Sequence, residues 1–261
     1  MRPLSSIELL NAWEVALPQT PTRRALTLLA AATPDTPVNA LALLPVGERD
    51  ARLMTLREWT FGMQVQCTIA CPNCRTSLEM DFALNDIRIR APDGEANGLL
   101  PMRKDGTDEP AALELTLNQA GYDVRFRLPN SLDLLALENG AFAVDDHRQY
   151  LLERCVLAAA RRGKTVSIKR LPKQVVTAVT ARMAEIDPQA DVEITLTCQD
   201  CGHRWNAPFD ILNFFWAEIH AWALRALHEV HLLALAYGWH ESDILALSPW
   251  RRRLYLEMVG R

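Results

Sequence analysis

Long apolar runs are the first thing this 261-residue chain lacks: none approaches the ~18 residues of a membrane span, so no span is expected. The opening, Met1 to Leu10, brings Ser5, Ser6 and Glu8 close together and has no basic start, apolar stretch or small-residue cleavage site. A soluble, cytoplasmic protein is therefore expected. Charge excess is missing too, since a net charge of -4 exerts no global pull on nucleic acid. Cysteine is sparse: six in the whole chain, where disulfide-stapled secreted domains use it far more densely. No nucleophile elbow, Ser-His-Asp order or paired-carboxylate motif stands out, which argues against an enzyme. What is present is globular, 49% hydrophobic and 23% charged, over a length that can bury a sizeable core.

Four of the six cysteines fall into two Cys-x-x-Cys pairs, Cys71-Pro72-Asn73-Cys74 and Cys198-Gln199-Asp200-Cys201. Their flanks match. Four residues after each second cysteine stand Leu78 and Trp205, eight after stand Phe82 and Phe209, and ten after stand Leu84 and Ile211. Upstream, Val65, Cys67 and Ile69 alternate as Val192, Ile194 and Leu196 do, so each half reads strand, knuckle, strand. Two residues between thiolates let a tight turn aim both sulfurs at one cation, and zinc takes four such ligands in a tetrahedron. One knuckle supplies two, so the pairs are expected to converge as a zinc ribbon with Cys71, Cys74, Cys198 and Cys201 as ligands of a structural Zn2+. A thioredoxin-like redox pair is a poorer reading, because no β-α-β pattern follows either motif. Cys67 aligns with Ile194 and reads as a small hydrophobe, as does Cys155 in an apparent helix from Tyr150 to Ala160. His203 is within two residues of Cys201, yet four thiolates leave it no vacancy. Gly202 follows the second pair, as a left-handed turn prefers, whereas Arg75 holds the matching place in the first.

The ribbon is split by 123 residues between Cys74 and Cys198. The expected fold is α+β and helix-rich, with a central split four-cysteine zinc ribbon, β-hairpins, and a long C-terminal helix followed by short ones. Five regions are read: N-terminal helices over 1–62, the first knuckle hairpin over 63–90, an inserted hairpin and helices over 91–190, the second knuckle hairpin over 191–211, and a C-terminal helical partner-binding region over 212–261. Helices are expected at Ser6 to Ala16, Pro21 to Ala32 and Gly47 to Trp59, the second with Thr20 as cap and proline first. Asp93 to Pro110 reads as a loop, and Leu113 to Leu117 with Tyr122 to Leu128 as a β-hairpin. Ser131 to Leu137, Asp145 to Ala160 and Pro172 to Ile186 read as helices. Asp210 to Tyr237 reads as one long helix, followed by short ones near Glu241 to Leu247 and Pro249 to Met258. The aromatics of the long helix, Phe214, Phe215, Trp216 and Trp222, spread over more than one face, so it is either sheathed or offered to a partner.

Other constellations are weaker. His220, His228 and His231 share the long helix, but His220 and His231 stand about 16 Å apart along it and no H-E-x-x-H pattern occurs. Gly163-Lys164-Thr165 resembles the end of a phosphate loop, whose first glycine would fall at Ala158, inside an expected helix. Basic residues gather at Arg161, Arg162, Lys164, Lys169, Arg170 and Lys173, and again at Arg251, Arg252 and Arg253. No aromatic is interleaved with the first cluster, and the second lies on an amphipathic helix, so a solvated or partner-facing surface is the default and nucleic acid is disfavoured. A nucleic-acid-binding zinc ribbon is the alternative reading.

The run Cys198-Gln-Asp-Cys-Gly-His-Arg-Trp205, with Phe209-Asp-Ile211, Trp216-Ala-Glu-Ile219, Glu229-Val-His-Leu-Leu233 and Tyr237-Gly-Trp239, is similar to a family of contractile-tail proteins. So are Asp243 to Pro249, Arg252 to Leu256, Pro45 to Asp50, Leu56 to Glu58, Phe61-Gly62 and Phe126 to Pro129. These are baseplate or baseplate-hub assembly proteins of T-even-type phages, found also in phage-like contractile injection systems. The resemblance implies a non-enzymatic assembly role, as component or chaperone, with hub, spike or other tail proteins as partners, in the cytoplasm or within a phage-tail-like particle. The pattern of Trp239, Ile244, Leu247, Tyr255 and Leu256 also resembles that of tail assembly chaperones. With Trp216 and Trp222 these are the expected partner-binding residues.

Overall fold

The structure is a computed structural model describing residues 1–89, 113–140 and 146–259. The expected loop from Asp93 to Pro110 lies outside the described residues. The fold is helix-rich α+β with small antiparallel sheets, as expected, and the chain divides into two compact units, Met1–Thr36 with Ile211–Arg261, and Pro37–Asp210.

The first unit is helical. Helix α1 (Ser6–Ala16) opens with a capping box: the Ser5 hydroxyl accepts from the Glu8 amide at 3.3 Å and the Glu8 carboxylate accepts from the Ser5 amide at 2.9 Å. Helix α2 (Pro21–Ala32) has proline at its first turn, and the Thr20 hydroxyl before it makes no capping bond. From the second part of the chain come α9 (Ile211–Tyr237), α10 (Glu241–Ala246) and α11 (Pro249–Val259). Along α9, Phe215, Ile219, Ala223, Ala226, Val230 and Leu233 recur every three or four residues and are buried, forming the stripe against which α1, α2, α10 and α11 pack. Arg252 departs from the solvated surface expected of its basic run. It is buried, paired to Glu229 at 3.0 Å, and donates to the carbonyls of Leu245 and Leu247 at 3.4 and 3.2 Å. Those bonds satisfy backbone acceptors at the α10–α11 turn, which is why a charge there is tolerated.

The second unit holds α3 (Val38–Ala42), α4 (Val46–Phe61), β1 (Gln64–Ala70), β2 (Ser77–Ala83), α5 (Leu84–Ile87), β3 (Glu114–Gln119), β4 (Tyr122–Arg127) and α6 (Ser131–Glu138). After these come α7 (His147–Cys155), β5 (Val156–Arg161), β6 (Lys164–Thr165), α8 (Lys173–Ile186), β7 (Glu193–Thr197) and β8 (Arg204–Pro208). The strands form three antiparallel sheets: β1-β2, β3-β4-β5-β6 and β7-β8. One face of the four-stranded sheet packs Tyr122, Val124, Phe126, Val156 and Ala159 against Leu152 of α7 and Val175 and Val179 of α8. Here the helix expected to run to Ala160 is overturned, since it ends at Cys155 and Val156 continues as a strand. Pairing with β4 and burial of Val156 and Ala159 under α8 outweigh the helical preference of the alanines. Gly163 to Thr165 therefore sit in a β-hairpin, which excludes a phosphate loop by strand-to-strand connection and not by the helix expected there.

Two polar devices stabilise this unit. Helix α4 starts after Pro45, which offers no side-chain cap, and the Asp187 carboxylate accepts from the Gly47 amide at 2.9 Å instead. Gly47 must be glycine for this approach, because a Cβ there would lie 2.0 Å from the Asp187 Oδ1. The buried Asp133 accepts from Arg127 at 2.6 and 2.9 Å and from Arg154 at 2.8 Å. Burial alone would raise its carboxyl, but these guanidinium bonds, with the Asn130 amide, hold it below the usual range.

Candidate metal centre

The two knuckles fold as copies. Strand β1 pairs with β2 up to Ala70↔Ser77, and β7 with β8 up to Thr197↔Arg204, so each turn spans six residues, Cys71 to Thr76 and Cys198 to His203. Each is closed by the same two bonds. The amides of Cys71 and Cys198 donate to the carbonyls of Thr76 and His203 at 2.9 and 2.8 Å, and those of Arg75 and Gly202 donate to the carbonyls of Cys71 and Cys198 at 2.8 and 2.9 Å. Both corner residues have left-handed backbone, with φ of 63° at Arg75 and 70° at Gly202. Behind the turns, the matched aromatics Phe82 and Phe209 meet edge to face, with centroids 5.7 Å apart.

This register brings the four thiols together. The sulfurs of Cys71 and Cys201 are 3.7 Å apart and those of Cys74 and Cys198 are 3.6 Å apart, each contact running from one knuckle to the other. All four lie within 4.8 Å of one another, the only such group of three or more metal-binding side chains among the described residues. A disulfide needs sulfurs about 2.05 Å apart, and all six cysteines are free thiols. A tetrahedral zinc with bonds of about 2.3 Å would hold its sulfurs about 3.8 Å apart. The observed spacing fits that edge. In each knuckle the first cysteine is buried and the second exposed, so the cluster is half sheathed.

The surroundings favour charged sulfur. Bonds with the Thr76 hydroxyl and then its amide draw the Cys74 thiol down to about 6. Asn73 donates its side-chain amide to the Cys201 sulfur at 3.5 Å, and this bond, followed by the His203 amide, lowers Cys201. Cys198 goes the other way, to about 11: amide bonds from Cys201 and Asp200 favour its thiolate, but desolvation and the neighbouring Cys74 and Cys201 sulfurs prevail. Four thiolates at this spacing repel one another unless a cation sits among them. The arrangement can hold a metal ion with four protein ligands and no open position.

The remaining sulfur and imidazole candidates lie elsewhere. Cys67 is half-buried on β1 opposite Met80 and outside the cluster. Cys155 is buried near Asp133, and burial pushes its thiol up to about 12. His203 is exposed and stacks on Trp205 at 5.8 Å. His220 accepts from the Trp13 indole at 3.1 Å, so it is a satisfied helix-packing histidine. Asn73 and Thr76 were not singled out in the sequence. Their signal is position alone, as polar residues inside and just after a knuckle.

In the helical unit, Ile244 is fully buried and Trp216 nearly so, the latter beneath the Arg24 guanidinium at 4.5 Å. Trp222, Trp239, Leu247, Tyr255 and Leu256 are half-buried. Tyr237, Trp239 and Tyr255 form one aromatic cluster, with Tyr237 stacked on Trp239 at 4.7 Å and Tyr255 edge-on to Trp239 at 4.9 Å. The most exposed large apolar side chains of this unit are Leu235 and Trp250, 77% and 70% accessible, neither of which was singled out in the sequence. No helix among the described residues is long and apolar enough to cross a membrane.

Comparison with known proteins finds one family: a family model described as T4 bacteriophage base plate protein matches residues 24–216, about three quarters of the chain. No curated protein and no solved structure matches.

Proposed function

The chain belongs to the T4 bacteriophage base plate protein family, and from that premise we propose a non-enzymatic role in assembling the baseplate or hub of a contractile phage tail or injection system. The observation that carries this reading is the family match, which spans both cysteine pairs and most of the chain. The four-thiol cluster supports it, because a site whose ligands are all protein sulfurs serves folding and leaves no position for a substrate. Cys71, Cys74, Cys198 and Cys201 would hold a structural zinc, which when bound links segments separated by half the polypeptide. The residues around it do the rest: Asn73 and Thr76 stabilise thiolate, and the buried Cys71 and Cys198 tie the site to the hairpins behind it.

Partners are assigned to the C-terminal helices. Trp239, Leu247, Tyr255 and Leu256, with the exposed Tyr237 and Trp250, present more apolar and aromatic surface than a solvated helix end needs. Trp222 adds to it from α9, while Trp216 and Ile244 act from beneath by fixing the helices that carry it. Hub, spike or other tail proteins are the proposed occupants, and the protein is soluble before it joins the particle. Co-expression with candidate hub, spike and other contractile-tail proteins tests this. A stable complex that Trp239→Ala or Tyr255→Ala weakens, with bound metal retained, is expected. A complex indifferent to both variants would remove the C-terminal docking surface from the account.

A further inference from the structure

The sheet carries a second surface. Between Arg161 and Lys173 the chain holds six cations (Arg161, Arg162, Lys164, Lys169, Arg170 and Lys173) and no acidic residue. The other residues contain 22 Lys and Arg against 32 Asp and Glu, so a segment of charge +6 sits on a remainder of -10. We infer that this segment is a docking surface for a carboxylate-rich face of another protein.

The structure shows that the run is built and not merely charged. Val166, Ile168 and Leu171 pack against the core beneath the four-stranded sheet, while Lys164, Ser167, Lys169, Arg170 and Lys173 between and beside them are exposed. The cations are therefore held on a fixed backbone, which lowers the ordering cost of binding. At the hairpin tip, Arg161 pairs with Lys164 across the turn, and Arg162 occupies left-handed backbone with φ of 49°. An asparagine or glycine would sit there without strain, yet the position holds a cation aimed at solvent. Arg161 lies over the Tyr122 ring at 5.0 Å, and Lys169 meets Glu153 at 3.8 Å. Arg162, Lys164, Arg170 and Lys173 have no carboxylate partner among the described residues.

Charge complementarity selects an anionic partner, and two features select protein over nucleic acid. The segment contains no aromatic to stack a base, and the Tyr122 ring beside it is covered by Arg161. A long polyphosphate would also meet the net-negative remainder, whereas a protein face of matching size need not. This inference rests on the segment from Arg161 to Lys173 alone and is independent of the family assignment.

The test uses the full, metal-loaded chain, a fluorescent poly-glutamate peptide and a fluorescent DNA duplex of similar charge, followed by anisotropy at rising salt. Arg162→Glu, Lys164→Glu, Arg170→Glu and Lys173→Glu are combined in one variant, and Arg23→Glu, Arg225→Glu, Arg251→Glu and Arg253→Glu in a control. Each set moves the net charge from -4 to -12, four reversals of two charges each. The wild type is expected to bind the peptide in a salt-sensitive manner, the first variant at least about tenfold more weakly and the control within about twofold of wild type. Equal weakening in both variants would reduce the effect to net charge and overturn the inference. So would tighter binding of the duplex than of the peptide, or no binding of the peptide at low salt.

Discussion

The two knuckles reach one geometry from different residues. Both close six-residue turns with the same pair of backbone bonds, bury the first thiol and expose the second. At the left-handed corner one uses Gly202 and the other Arg75, although an L side chain in that conformation costs about 1 kcal/mol or more. One knuckle donates a side-chain amide to sulfur through Asn73, while the matching position in the other is Asp200, which has no such donor. The difference teaches that the corner conformation is imposed by hairpin pairing and by convergence of the sulfurs, not by local preference. Where glycine is present it relieves strain, and where it is absent the assembly bears the strain.

Ways to break that equivalence rank by size. Cys71→Ser and Cys198→Ser should act alike, each abolishing metal retention and metal-linked folding free energy on the order of 10 kcal/mol. Metal analysis and thermal unfolding read this out, and a knuckle that tolerates its loss would show that the two are not partners. The part of the same unit away from the four-thiol cluster offers a contrast through Asp133. Its carboxyl lies below the usual range, so its contribution is present at neutral pH and is lost as pH falls below about 4, through the folded-state value. Asp133→Asn should cost about 3–5 kcal/mol at neutral pH by leaving two guanidinium groups without their buried partner. It should also flatten the acid limb of a denaturation profile.

A double-mutant cycle on Phe82→Ala and Phe209→Ala should show coupling of about 1 kcal/mol, which joins the hairpins independently of sulfur. Additive effects would mean that only the metal site unites them. The smallest effects are the most diagnostic. Arg75→Gly should stabilise by up to about 1 kcal/mol and Gly202→Ala should destabilise by a similar amount, measured as midpoint shifts in denaturant. The same sign for both would contradict the assignment of strain.

Much of this was legible in residue order. The matched spacing of Leu78 with Trp205 and of Phe82 with Phe209 exposed the duplicated hairpins, because strand alternation repeats every two residues regardless of what lies between. Helix α2 was marked by Pro21 at its first turn and the long α9 by the stretch from Asp210 to Tyr237, whereas the Thr20 cap read beside Pro21 does not form. Strand β5 was not legible. Val156 to Arg161 is alanine-rich and continues a helical pattern, and only its pairing with β4 under α8 decides it. The inward position of Arg252 was hidden for a related reason, since a basic run on an amphipathic helix reads as solvated until Glu229 and the α10–α11 turn are placed around it. At the candidate site the four ligands were visible, while Asn73 and Thr76 emerged only once the turns were folded.

Metal content and the number of sulfurs around any ion are the decisive quantities. X-ray absorption on the purified chain, paired with elemental analysis, should find one zinc per polypeptide surrounded by four sulfurs at about 2.3 Å. A shell of two sulfurs completed by nitrogen or oxygen, or one ion for each knuckle, would mean that the distant turns bind separately and that nothing metallic holds the halves of this unit together.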